Sequence, residues 1–252
     1  MTEPTGRARA DDAAAVGALG AELASGVEQV RSAITALRRH PSNRTGWPRT
    51  AAAASVRAAR ASAALDGAPL ALDPDAASVA DPVLAGALRV AAAIGSLSAV
   101  WTRAPMQALA KLHTLAAADL VPSDDLGRPR VAPGVGERLA GLAELATSDR
   151  WPAPVQIALV HGELLAIAPF GVADGVVARA AARLTMISTG LDPAGLGIPE
   201  VAHLQSGPRD RELAAGYRTG DPAAVDEWIG EVCRCLVLGA REGVSIADSA
   251  AS

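Results

Sequence analysis

A carboxylate and a guanidinium lie five residues apart in the segment from Ala168 to Arg179, which reads APFGVADGVVAR. Asp174 could act as a base and Arg179 could hold an anion, so the two side chains are candidates for a transfer reaction. Asp174 also directly precedes a run of helical character, where a side-chain oxygen can accept the free N–H groups of the first turn. We favour this capping role for Asp174 and a structural ion pair with Asp66 for Arg179.

The same twelve residues resemble the signature loop of the Fic family, HPFxxGNGRxxR. The positions that keep the family residue are Pro169, Phe170, Gly175 and Arg179. The positions that depart from it are Ala168 in place of the catalytic His, Ala173 in place of the first loop Gly, Asp174 in place of Asn and Val176 in place of the first Arg. The resemblance therefore implies a signature loop that keeps residues typical of its backbone path and lacks its reactive groups.

Each departure bears on the AMP transfer that the family performs. Ala168 cannot accept a proton, and loss of a general base commonly removes a factor of ~10²–10⁴ in rate. Gly175 could keep part of the family's phosphate-binding nest at a helix start, but Asp174 would repel a phosphate ~4 Å away by ~4 kcal/mol at an effective dielectric of ~20. Val176 removes a phosphate-binding Arg, and Val172 stands where the family has an acidic metal ligand. We expect a pseudoenzyme.

The resemblance extends upstream of the loop. His161 lies seven residues before Ala168, as in the helix that leads into the family signature. Leu112-His113, the segment 127–130 and the segment 131–133 follow the family order around its β-hairpin flap. Too few residues remain for the flap itself, which in the family holds the target by strand addition. We expect the flap to be reduced or absent.

Many Fic proteins also carry an inhibitory helix with the pattern (Ser/Thr)xxxGlu(Gly/Asn), whose Glu pairs with the last signature Arg and blocks productive ATP binding. Ser62, Asp66 and Gly67 match this pattern, with Asp in place of Glu. The resemblance implies that Asp66 meets Arg179. Because guanidinium–carboxylate geometry favours two parallel hydrogen bonds, we expect a bidentate pair.

Helical periodicity and Pro residues near helix starts predict an all-α fold, a Fic-type helical bundle. The predicted helices cover residues 13–39, 50–65, 82–100, 105–118, 136–146, 152–167, 174–189, 199–217 and 222–241. Abundant Ala and only one Phe and one Tyr favour helices packed closely through small side chains. We divide the chain into an N-terminal polar head and helical region (1–44), the helical domain (45–244) and a polar tail (245–252).

Composition limits the partners. The net charge is −4 and the pI about 5.6, so no global basic field attracts nucleic acid or an anionic membrane. We find no apolar run of the ~18 residues needed to span a bilayer and no signal-peptide core, and expect a cytoplasmic protein. Cys233 and Cys235 lack partners for a zinc site and are expected to be reduced thiols.

The four His residues do not suggest a metal site by their spacing. His113 and His161 are expected to pack in the core, whereas His40 and His203 lie at apparent segment boundaries. We therefore expect no metal and no resident cofactor, and leave weak nucleotide or anion binding open.

Two functions of different classes remain after this reading, with a third more remote. The first is an inactive Fic-type protein that acts by binding a protein partner or a residual nucleotide-like ligand, with a homodimer left open. The second is a transferase on a nucleotide or phospho-metabolite that uses Asp174 and Arg179. The third, a nicotinamide oxidoreductase, rests on Gly134-Val135-Gly136 before a helix, but Leu139 replaces the third Gly of the dinucleotide fingerprint.

Overall fold

The computed structural model describes residues 20–69 and 81–249. Within these ranges the chain forms ten α-helices and no strand. The helices are α1 Ala21–Arg39, α2 Trp47–Leu65, α3 Pro82–Trp101, α4 Pro105–Ala116, α5 Val135–Thr147, α6 Ala153–Ile167, α7 Asp174–Ser188, α8 Pro199–Ser206, α9 Pro208–Tyr217 and α10 Pro222–Ser249. The all-α prediction is confirmed.

Proline marks most helix starts. It occupies the first turn of α2, α3, α4, α6, α8 and α9 and is the first residue of α10. This placement is favourable because the N–H that Pro lacks would have no helical partner there. Asp81 adds a side-chain cap, since its Oδ1 accepts the N–H of Leu84 at 2.8 Å at the start of α3.

Two helix boundaries depart from the sequence prediction by more than a few residues. The predicted helix 199–217 is two helices, because Gly207 has φ +57 and Pro208 begins α9. Helix α10 continues to Ser249, beyond the predicted end at residue 241, and Ala247 in the expected polar tail is fully buried. The part of the first predicted helix before residue 20 lies outside the described residues.

Helices α6 and α7 lie between two hydrophobic clusters. On one side α3, α4 and α5 contribute large side chains such as Leu84, Leu109 and Leu142. On the other side α1 and α10 contribute Ile34 and Trp228, among others. Both central helices contribute buried residues to both clusters. The loop that joins them therefore starts and ends on helices that are packed on two sides.

Close packing through small residues is present, as the composition indicates. A Cβ on Gly86 of α3 would lie 2.0 Å from the carbonyl oxygen of Ala116 at the end of α4. A Cβ on Gly239 of α10 would lie 2.5 Å from the backbone nitrogen of Pro199. At both contacts two backbones approach so closely that only glycine fits.

The expectation that no segment is apolar enough to span a bilayer is wrong for helix α3. Its 20 residues, Pro82–Trp101, are long and apolar enough by length and composition alone. Core helices of soluble proteins have the same property, and Val90, Ile94, Leu97 and Trp101 of α3 are buried in the first hydrophobic cluster.

Candidate functional site

The signature loop leaves α6 and enters α7 through two left-handed residues. Ala168 ends α6 with φ +43 and ψ +62, and Ala173 precedes α7 with φ +56 and ψ +16. They are the two non-glycine residues with positive φ in the described part of the chain. Such a conformation costs an L-residue roughly 1–2 kcal/mol, so the fold imposes this loop path even where the sequence lacks glycine.

Asp174 turns back into the loop. Its Oδ1 accepts the N–H of Phe170 at 2.9 Å and its Oδ2 accepts the N–H of Gly171 at 2.7 Å. The expectation that Asp174 caps the first turn of α7 is therefore wrong: its carboxylate binds loop amides that precede the helix. Burial raises the pKa of Asp174, an effect opposed by these two hydrogen bonds and by Arg130.

The first turn of α7 is capped by Asp66, from a distant part of the chain. Asp66 Oδ2 accepts the N–H of Val176 at 3.1 Å. A Cβ on Gly175 would lie 2.3 Å from Asp66 Oδ1, so the carboxylate rests directly on a bare backbone. A helix start with its free N–H groups is a favourable place for an anion, and here the chain supplies that anion itself.

Arg179 is held by the same segment of α2. Its Nη2 lies 2.5 Å from Asp66 Oδ1, which confirms the expected contact. The bidentate geometry is absent, because Nε donates to the Ser62 hydroxyl and Nη2 also donates to the Ser62 carbonyl oxygen, each at 2.8 Å. Ser62 and Asp66 thus share one buried guanidinium.

Asp66 reaches this position because of the way α2 ends. Gly67 has φ +95 and donates its N–H to Ala64, while Ala68 donates to Ala63 at 3.0 Å. This pair of bonds is the Schellman motif, which turns the chain sharply after the helix. The match of Ser62, Asp66 and Gly67 therefore corresponds to a real helix end facing the signature loop.

Arg130 binds three consecutive carbonyl groups at the start of the signature loop. Its backbone N–H donates to the Pro169 carbonyl at 2.7 Å, its Nε to the Ala168 carbonyl at 2.9 Å and its Nη2 to the Ile167 carbonyl at 2.7 Å. A guanidinium on the last carbonyls of α6 is favourable to the helix dipole. Arg130 lies in the segment compared with the flap region, and its sequence position alone does not indicate this role.

His113 packs against the signature loop through Phe170. Its ring stacks on Phe170 with centroids 4.0 Å apart and planes 4° apart, and its Nδ1 accepts the N–H of Gly127 at 2.9 Å. Burial lowers the pKa of His113, partly opposed by the Val172 backbone. His113 is therefore a neutral packing residue of the site.

A second polar cluster lies deeper in the core, around His203. Its Nδ1 lies 2.6 Å from Asp210 Oδ1, and its ring meets the His161 ring edge-on at 5.0 Å. Burial, with His203 and Arg179 nearby, lowers the pKa of His161 well below its usual value, so His161 is neutral. His203 lies in the last turn of α8, near a helix boundary as expected, and its side chain is buried.

The described residues contain no group of His, Cys, Asp and Glu arranged to hold a metal ion. Cys233 and Cys235 are both buried free thiols on α10. Gly134 directly precedes α5, and no strand comes before it in the described chain, so the dinucleotide-binding interpretation lacks the βαβ unit that it requires.

No family model and no curated protein matches the chain. Among solved structures, a Fic family protein from Desulfovibrio desulfuricans G20 matches with a TM-score of 0.65 and 18% sequence identity. The match covers 90% of this chain and 75% of the other. The chain has a Fic-type fold. At this identity the similarity shows the fold alone, and the Fic flap region is here the irregular segment 128–132, tied to the signature loop by Arg130.

Proposed function

We propose that this chain is a catalytically inactive Fic-fold protein that acts by binding rather than by AMP transfer. The observation that carries the proposal is the Asp66 carboxylate, which caps α7 and neutralises Arg179 where the family would place phosphate. A nucleotide would have to displace a hydrogen-bonded, charge-paired group before reaching the helix start.

The chemistry of the loop supports the same conclusion independently. Ala168 offers no base, and the Asp174 carboxylate occupies the amides of Phe170 and Gly171. A phosphate ~4 Å from either carboxylate would meet a repulsion of ~4 kcal/mol at an effective dielectric of ~20. The positions of the first signature Arg and of the metal ligand carry Val176 and Val172, neither of which can bind an anion or a metal through its side chain.

The test uses ATP labelled at the α-phosphate, together with calorimetric titration of ATP. The unmodified chain should neither bind ATP measurably nor label itself or lysate proteins. Ala168→His alone should behave in the same way, because it supplies a base to a closed pocket. A chain that combines Ala168→His with Asp66→Gly, Asp174→Asn and Val176→Arg should bind ATP, because closure and repulsion are both removed.

Strong labelling by the unmodified chain that disappears in Arg179→Ala would overturn the proposal. Exposed Asp119, which pairs with Arg89 away from the loop, provides a control variant. Asp119→Ala should leave ATP binding unchanged in every background.

A transferase with relocated groups is the second candidate, because the raised pKa of Asp174 is typical of a general base. Against it, both Asp174 oxygens accept loop N–H groups, and Arg179 is bound by Ser62 and Asp66. Turnover of a nucleotide or phospho-metabolite pool that is lost in Asp174→Ala and retained in Asp119→Ala would favour this candidate.

A further inference from the structure

The corner of the fold where α1 ends and α2 begins carries a concentrated positive charge. Residues 38–49 read RRHPSNRTGWPR, with four arginines and no carboxylate. All four arginines are exposed: Arg38, Arg39, Arg44 and Arg49. Within the described residues, no ion pair or side-chain hydrogen bond involves their guanidinium groups. We call these four residues, together with Trp47, the basic corner.

Two carboxylates from other parts of the chain lie near the basic corner. Asp192 interacts electrostatically with Arg38 but is fully buried. Asp248 of α10 pairs with His40 at 3.0 Å. One exposed carboxylate beside four exposed arginines leaves this surface strongly positive.

Helix stability does not account for all four arginines. Arg38 and Arg39 lie in the last turn of α1, where a positive charge is favourable to the helix dipole. Arg49 lies in the first turn of α2, where the dipole makes a positive charge unfavourable, and no acidic residue or side-chain cap offsets it there. Arg44 follows a short turn between the two helices. Arg44 and Arg49 are therefore available to an external anion.

The backbone of the basic corner is fixed by internal hydrogen bonds. Asn43 Nδ2 donates to the Leu37 carbonyl at 2.9 Å, at the end of α1. The N–H of Gly46 donates to the Ser42 carbonyl at 3.0 Å. Trp47 follows directly and is 45% exposed. A surface that is already ordered loses less conformational entropy when it binds a partner.

We propose that the basic corner binds a short acidic segment of a partner protein, with an apolar side chain of that segment packed on Trp47. Guanidinium groups bind carboxylates through paired, charge-assisted hydrogen bonds. The whole chain carries −4 and residues 38–49 carry +4, so the rest of the chain carries −8. A long nucleic acid or a flat anionic membrane would also face that negative remainder, whereas a short segment contacts the corner alone.

The basic corner lies far from the signature loop. Trp47 and Asp66 are at opposite ends of α2, about 27 Å apart at the helical rise of about 1.5 Å per residue. Binding at the corner therefore adds a class of partner to the binding role proposed above. It does not depend on whether the signature loop transfers AMP, so the labelling assay and the peptide assay can fail separately.

Fluorescence anisotropy with labelled peptides at low salt tests the proposal. The probe is Asp-Glu-Leu-Asp-Glu-Phe-Asp-Glu, and the matched control replaces each acid by its amide, Asn-Gln-Leu-Asn-Gln-Phe-Asn-Gln. The full chain should bind the probe and not the amide peptide. Arg44→Gln with Arg49→Gln should weaken binding about two- to thirtyfold, as the loss of two surface ion pairs implies. Trp47→Ala should weaken it about two- to tenfold, the size of one aromatic contact.

Exposed arginines on α9 provide the control variant. Arg209→Gln with Arg211→Gln removes the same charge and should leave binding unchanged, so an equal loss of affinity would overturn the proposal. Binding of the amide peptide, or no binding of either peptide, would also overturn it. Arg49→Gln should not lower the midpoint of thermal unfolding, and a lower midpoint would mean that Arg49 serves the fold instead.

Other occupants give different results in the same variants. Tighter binding of a short oligothymidylate or of phosphatidylserine vesicles than of the probe, lost in Arg44→Gln with Arg49→Gln, would assign the corner to nucleic acid or to a membrane. A dimer of the chain that dissociates in this double variant would assign the corner to a second copy. Either result would overturn the proposal.

Discussion

Helix α7 carries two buried arginines one turn apart, and the two are neutralised in different ways. Arg183 lies 3.3 Å from Glu200 and also donates to the carbonyls of Gly195 and Gly197, with both partners of the ion pair less than a tenth exposed. Arg179 is as buried, but its partner Asp66 is 20% exposed and also caps the helix. The deeper pair lies wholly within the core, whereas the outer pair also caps the start of α7.

The largest effect should come from breaking the deeper pair. Glu200→Ala leaves the Arg183 charge without its carboxylate in a dry environment, which typically costs about 3–5 kcal/mol. Urea unfolding monitored by circular dichroism measures the change. The exposed Arg89–Asp119 pair is the reference, and Asp119→Ala should lower the free energy of unfolding by about 0–1 kcal/mol. A smaller loss of stability in Glu200→Ala than in Asp119→Ala would mean that water reaches Arg183.

Breaking the outer pair should cost less and change binding. Asp66→Ala should lower the free energy of unfolding by about 1–3 kcal/mol, because a buried charge loses its partner at a site that water can partly reach. The same variant should gain affinity for inorganic phosphate, measured by calorimetry, while AMP transfer stays absent. An Asp66→Ala chain that transfers AMP would contradict the inactive-protein proposal.

A third ion pair, His203–Asp210, allows the comparison to be made by titration. Burial disfavours a charged His203, but hydrogen bonds to Asp210 and Cys235 outweigh it and raise the pKa of His203 to about 10. Because the unfolded pKa is about 6.5, its contribution to stability is complete below that pH and is lost as the pH rises toward 10. The free energy of unfolding should therefore fall as the pH is raised from 7 to 10, and His203→Gln should reduce this dependence on pH. The other titratable groups that face His203 are neutral His161, Cys235 and Glu231.

The smallest effect should come from relaxing the loop backbone. Ala173→Gly restores the residue type that the left-handed conformation prefers, a gain of roughly 1–2 kcal/mol. The greater freedom of glycine in the unfolded chain offsets about 0.4–1 kcal/mol of it. Thermal unfolding should show a net stabilisation, whereas Ala53→Gly, on the exposed face of α2, should destabilise by about 1 kcal/mol.

The features of the fold that the sequence predicts best are those that a local pattern determines. Proline positions and helical periodicity predicted the helices. The contact of Asp66 with Arg179 was expected from the resemblance of Ser62, Asp66 and Gly67 to the Fic inhibitory helix, not from local geometry. The break at Gly207 was missed, although residues 205–212 contain no large apolar side chain and Gly-Pro is a local signal for a turn.

Other features depend on tertiary contacts that no local pattern contains. Asp174 has the residue type and position of an N-cap, but Asp66 already occupies the first turn, so its carboxylate binds the loop amides instead. Arg130 holds the carbonyls of Ile167 and Ala168 across nearly forty residues of sequence. The extension of α10 to Ser249 follows from burial of Ala247, not from its polar sequence.

The contact between Asp66 and the start of α7 requires a glycine at position 175. The Asp66 carboxylate can rest on the helix start because position 175 has no side chain, and a methyl group there would overlap Asp66 Oδ1. Gly175→Ala would therefore expel the carboxylate without altering any charge of the protein. The absence of a side chain at position 175 therefore decides whether a carboxylate from a distant helix can cap α7.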